Sequence, residues 1–224
     1  YSLPLWTPPG PGGFKPSLEL SYSSQVIDSA TAFTQAGWAG MGWSLDTGYI
    51  ERNFHGNNVT IGDDTFTLVL NGVSATLLPI SVSGSVTTYS TAQINNWTIQ
   101  RDTTSGWTVW DQSGTSYQFS FATRLDPTKS CQTTLSQVDT AWRWSLTKAT
   151  DKFGNEINYS YINETKGNSS HCKGEMAVYP ESISYAGGKY KVEFELDNTR
   201  KDYRATWNDD ASTVLFSQQR LAAV

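Results

Sequence analysis

The chain has 224 residues, of which 38% are hydrophobic, 13% aromatic and only 17% charged, where a folded domain usually carries about 25% charged residues. Ser and Thr supply about a quarter of it, and with the β-branched and aromatic residues they suit half-buried sheets, not helices or disorder. A net charge of −5, a pI near 5.0 and the lack of a basic cluster argue against a nucleic-acid or anionic-membrane partner, and no apolar run approaches the ~18 residues of a membrane span.

Tyr1 is not followed by the basic and apolar segments of a secretion signal, so any such signal is expected to lie outside this chain. Residues 1–16, YSLPLWTPPGPGGFKP, hold five prolines and three glycines and can form neither a helix nor a central strand. They read as an extended arm. Its apolar Leu3, Leu5, Trp6 and Phe14 predict packing against the body or against a neighbouring chain. Residues 17–224 read as a single β domain.

From Ser17 the pattern has period two: Leu18, Leu20 and Tyr22 alternate with Ser17, Glu19 and Ser21, as in a strand buried on one face. A polar loop over 25–35 follows, then the dense block GWAGMGWSLDTGYIERN. Further strands are expected at 64–70, 75–79, 85–89, 97–101, 107–111, 117–121, 142–149, 156–162, 182–185, 189–196, 203–207 and 213–216. Asn71-Gly72, Ser113-Gly114, Phe153-Gly154 and Gly187-Gly188 supply turns between them. Short strands joined by tight turns predict an all-β antiparallel meander with very little helix.

The segment Trp142–Tyr161 reads as a hairpin turning at Asp151-Lys152-Phe153-Gly154-Asn155, with Asp151 to cap the turn and Gly154 for positive φ. Trp142, Trp144, Leu146 and Lys148 are expected on one face, and Ile157, Tyr159 and Tyr161 on one face of the return strand. Folding about this turn sets Cys131 and Cys172 nearly opposite each other beyond the open end. That symmetry favours a Cys131–Cys172 disulfide over free thiols, and with it an oxidising compartment. Five N-x-S/T sequons occur, at Asn58, Asn96, Asn158, Asn163 and Asn168, and are acceptors if the source glycosylates its secreted proteins. Asn163 and Asn168 fall in what reads as a polar loop. Asn158 is mid-strand and points outward only if Tyr159 points inward.

Three blocks carry a resemblance: Pro11-Gly12-Gly13-Phe14-Lys15-Pro16-Ser17-Leu18-Glu19-Leu20-Ser21-Tyr22-Ser23-Ser24, then Gly37-Trp38-Ala39-Gly40-Met41-Gly42-Trp43-Ser44-Leu45, then Tyr49-Ile50-Glu51-Arg52. They resemble the opening of the Rhs/YD-repeat shell, in the region shared by plasmid virulence protein B types and the B components of insecticidal toxin complexes. The run Trp144-Ser145-Leu146, Asp151, Gly154-Asn155 and Tyr159-Ser160-Tyr161 resembles the repeat itself. The sequence departs from it where Ile162 replaces the Asp of the Tyr-Asp pair, and where segments 128–139 and 163–177, holding both cysteines, are inserted. The resemblance implies a curved or spiralling sheet that starts a hollow shell around cargo. A chain of this length cannot close a shell, so the partner it implies is either the rest of a larger Rhs protein or further copies of the chain, met through open sheet edges.

The chemistry points the same way. His55 and His171 are isolated, and Asp63-Asp64 and Asp209-Asp210 read as turn residues at strand starts. No nucleophile elbow, zinc helix, phosphate loop or Cys-x-x-Cys is present, so no enzyme activity, metal or cofactor is expected. Nine tryptophans leave an alternative, a secreted adhesin stacking glycans on exposed Trp and Tyr; the main reading buries Trp38, Trp43, Trp107, Trp142 and Trp144.

Overall fold

The computed structural model describes residues 1–31, 34–54, 64–92, 96–124, 141–166, 174–200 and 217–224. Sixteen strands run among these residues, every pairing between them antiparallel. A small sheet holds β1 (Ser2–Pro4), β2 (Glu19–Tyr22) and β3 (Trp43–Leu45). The main sheet takes β4 (Tyr49–Asn53), β5 (Thr65–Leu70), β6 (Val73–Ser83), β7 (Val86–Thr91), β8 (Thr98–Asp102), β9 (Gly106–Trp110), β10 (Ser116–Arg124) and β11 (Ala141–Thr150), followed by β12 (Glu156–Lys166), β13 (Gly174–Tyr185) and β14 (Tyr190–Glu193). A last pair joins β15 (Glu195–Asp197) to β16 (Arg220–Ala223).

The main sheet closes. β11 pairs with β4 through Trp144 and Ile50 and also with β10 along its length, so the eight strands β4–β11 form a barrel-like ring from which β12–β14 extend. This corrects the expected open, spiralling meander. Closure removes two sheet edges, and a ring of eight strands is narrow enough for side chains to fill. Phe66, Tyr89, Trp107 and Trp144 fill it with rings whose centres lie 4.9–6.0 Å apart, and Ile50, Leu68, Ile99, Val109 and Phe119 are fully buried around them. The Arg101 guanidinium stands 5.0, 5.6 and 5.2 Å from the ring centres of Phe66, Trp107 and Trp144, a cation–π cover for the aromatic stack.

The expected hairpin is shorter than its sequence pattern. β11 pairs with β12 only through Lys148–Thr150 and Glu156–Asn158. Beyond that, β11 turns to β4 and β10, while β12 pairs with β13. Register shifts in the β10–β11 ladder change the alternation, so Trp144, Leu146 and Ala149 enter the core and Lys148 faces out to Glu156. A bulge is the physical reason: one extra residue reverses which face every later side chain takes. The expected polar loop also contains a short helix, α1 (Ser24–Asp28).

The arm belongs to the body. β1 pairs with β2, Leu5 N–H donates to Leu18 O at 2.8 Å, Tyr185 Oη donates to Pro8 O at 2.8 Å, and Leu5 and Phe14 pack on the core. Trp6 and Leu3, expected as anchors, are 81% and 45% exposed. The strands expected at 203–207 and 213–216 lie outside the described residues.

Candidate functional site

The residues that the sequence singles out converge on structural tasks. Gly40 and Gly42 adopt φ of +119° and +74°, and a Cβ on Gly42 would meet Ser23 O at 2.9 Å. Trp43 lies against Tyr1 and Tyr22, and Trp38 packs edge-on to Phe194 at 6.2 Å. Gly37 and Ala36 present their carbonyls to the buried Arg200 guanidinium at 3.3 and 2.7 Å. Leu45 and Trp144 are buried in the core, and Arg52 is buried in an ion pair with Asp64 at 2.5 Å.

At the repeat-like turn, Asp151 Oδ1 accepts from Phe153 N–H and Asn155 N–H at 2.8 and 2.9 Å, and Oδ2 accepts from the Asn155 amide at 2.8 Å. Gly154 takes φ +82°. Desolvation acts to raise the Asp151 carboxyl, yet its hydrogen bonds, Asn155 first, hold it below the usual range. Tyr159 packs against the core and Tyr161 bonds Thr47 at 3.0 Å; burial pushes both phenols far above their ordinary value.

Cys131, Cys172, Asn58, Asn168, both histidines, Asp63 and Asp209–Asp210 lie outside the described residues. Asn96 and Asn158 are exposed, with Tyr159 turned inward beside Asn158. Asn163 does not lie in a loop: it is in β12, opposite Val178, with its side-chain oxygen accepting from Thr123 at 3.2 Å. Among the tryptophans, Trp107, Trp142 and Trp144 are buried, whereas Trp38 and Trp43 are half-buried.

Two concavities are formed by described residues. One, of about 350 Å³, lies between the small sheet and the β5–β6 turn, lined by Glu19, Ser44, Asp46, Thr47, Asn71 and Tyr159. Burial raises the Asp46 carboxyl, with Arg143 opposing. The other is a groove of about 690 Å³ along β14, lined by Leu5, Trp6, Tyr190, Lys191, Val192 and Val224. β14 is the terminal strand of the main sheet, paired with β13 on one side. No group of three or more metal-ligating side chains occurs among the described residues. A strand edge beside an apolar groove suits the docking of an extended segment.

Sequence reasoning missed the tie that holds the C-terminal end. Glu164, buried in β12, accepts from Tyr179 Oη at 2.5 Å and from Gln218 N–H at 3.1 Å, and Ser217 bonds the same phenol at 2.8 Å. Burial, then the Glu164 hydrogen bond, pushes the Tyr179 phenol up to about 12. A charged residue in a strand gives no sequence signal of this kind, since its partners are 15 and 54 positions away.

No protein-family model and no curated protein matches the sequence. Solved structures do match its fold. The N-terminal domain of effector protein SpvB from Salmonella typhimurium strain LT2 is 22% identical with a TM-score of 0.54, over 82% of this chain and 64% of that one. TcdB2-TccC3-Cdc42 is 15% identical with a TM-score of 0.60, over 99% of this chain and 13% of that one. The Photorhabdus luminescens Tc holotoxin pore is 19% identical with a TM-score of 0.51, over 82% and 9%. The chain thus shares its fold with the SpvB N-terminal domain and with part of these Tc-toxin structures, and it spans under two thirds of the SpvB domain's length.

Proposed function

We propose that this chain is a non-catalytic, extracellular structural module that starts an Rhs-like shell and assembles through its free sheet edge and arm. The carrying observation is the contrast, among the described residues, between a closed ring with an aromatic-filled core and a sheet extension that ends on the groove-flanked strand β14. Likeness of fold to SpvB and to Tc-toxin structures, each longer than this chain, supports a role as part of a larger assembly. The arm is anchored to β2 and β13 and presents the exposed Leu3 and Trp6 for packing with further copies or with the rest of a larger Rhs protein. On a secretory route that glycosylates, Asn96 and Asn158 are the sequons this fold leaves exposed among the described residues.

A glycan array together with tryptophan emission tests the reading against the adhesin alternative. The expected result is blue-shifted emission unmoved by glycans and an empty array. Saturable glycan binding that quenches or shifts emission would sink the structural reading.

A further inference from the structure

The outer edge of β14 carries a distinctive charge order. Along Lys189-Tyr190-Lys191-Val192-Glu193-Phe194-Glu195 the charges invert about Val192. Lys189, Lys191, Glu193 and Glu195 are all exposed, Tyr190 and Val192 are half-buried, and Phe194 is buried, so alternation sets the four charges on one face. A strand laid antiparallel along this edge is favoured when it places a base opposite Glu193 and an acid opposite Lys191, because like charges across a rung repel. Read from its N-terminus, that strand is basic–apolar–acidic. β14 itself, Lys191-Val192-Glu193, has this order.

We propose that β14 pairs with β14 of a second copy, antiparallel about a two-fold axis at Val192, with Lys191 of each copy facing Glu193 of the other. Such a contact is isologous and joins the two main sheets edge to edge. The charge pattern selects one register. An axis at Lys191 or at Glu193 opposes like charges, and a half-step sets the charged face of one strand against the other face of its partner. In the single chain Lys191 Nζ and Glu193 Oε1 hold each other at 2.6 Å while 53% and 68% exposed; pairing exchanges the two such contacts, one in each copy, for two between copies. Ala223 stands opposite Glu195, and among the described residues Lys191, Val192 and Glu193 have a partner strand only on the β13 side. Three rungs cover far less than the ~800 Å² per partner of a stable interface, so the association is weak and concentration-dependent.

The inference rests on the sheet-edge reading above, and its test is separate from the glycan test. Sedimentation of the 224-residue chain from about 1 µM to about 1 mM at low salt follows the equilibrium. Reversible dimers are expected, weakened at least tenfold by Lys191→Glu and by Glu193→Lys. Mixing the two single variants restores association, because one then presents only acids and the other only bases, and the double variant K191E/E193K dimerises like the parent. Circular dichroism confirms that each variant folds. A parent that stays monomeric throughout, single variants that still dimerise, or a mixture that stays monomeric would each overturn the pairing while leaving the structural-module reading to its own test.

Discussion

Single residues show which motif positions are set by backbone geometry and which by chemistry. Gly106 opens β9 at φ +94°, and a Cβ there would lie 2.4 Å from Phe119 O; Gly72, at φ +77°, has nothing within 4 Å. Gly106→Ala is therefore expected to cost about 3 kcal/mol, left-handed strain plus a backbone clash, and Gly72→Ala only about 1 kcal/mol. Urea unfolding of the two variants measures the difference. Asp111 repeats the Asp151 device, with Oδ1 accepting from Ser113 and Thr115 N–H at 2.8 and 3.0 Å. Burial acts to raise its carboxyl, but the bonds from Ser113, Thr115 and Tyr117 outweigh it and lower it. Asp102 and Asp197 are lowered too, each chiefly by a threonine hydroxyl, from Thr104 and Thr199. A lowered folded value means stability that is present above the unfolded value near 3.8 and lost as pH falls through the folded one. Melting temperature should thus hold from pH 7 to about 5 and drop below about 4, and Asp151→Asn should flatten part of that drop.

The elements divide tasks that the sequence pattern runs together. Trp142–Tyr161 reads as one hairpin, and its turn, its D-x-x-G-N chemistry and its β character are legible because they are local. Its division between ring and extension is not legible, because Gly48 O takes the Leu146 N–H at 3.0 Å and Ile50 pairs with Trp144 across almost a hundred positions. β12 carries the consequence: Tyr159 and Tyr161 line the junction with raised phenols. A phenol raised in the folded state keeps its proton while the unfolded one ionises, so stability falls as pH rises above about 10. Tyrosinate absorbance should show an early class, and a late class that appears only with unfolding; Tyr159→Phe and Tyr161→Phe should remove amplitude from the late class alone. Tryptophans separate similarly. Trp107→Ala should cost about 3–5 kcal/mol, whereas Trp6→Ala, 81% exposed, should leave the melt unchanged and lower the acrylamide-quenchable share of the emission, to which Trp110 also contributes.

At the scale of the whole molecule, described residues that flank the two cysteine-bearing stretches of sequence stand side by side. Arg124 N–H, at the end of β10, donates to Glu175 Oε2 at 2.5 Å, and Trp142 Nε1 donates to Glu175 O at 2.9 Å. This juxtaposition supports the proposed Cys131–Cys172 disulfide, although by a different route from the hairpin symmetry, since β10–β11 and β12–β13 are the strands that converge. Non-reducing peptide mapping should recover the linked pair, and reduction should cost ~2–4 kcal/mol; two alkylatable thiols in the native protein would refute it.

Composition and period-two patterning determined the all-β class, the antiparallel pairing and the turn sites, because each depends on residues a few positions apart. The Rhs-like opening read from Pro11 to Arg52 agrees with the fold likeness. Only the tertiary structure decided that the sheet closes into a ring, that α1 interrupts the polar loop, that Trp6 faces solvent and that β14 is the last strand of the main sheet among the described residues. Those outcomes depend on which distant strands meet, and on bulges that reverse a face without any mark in the alternation.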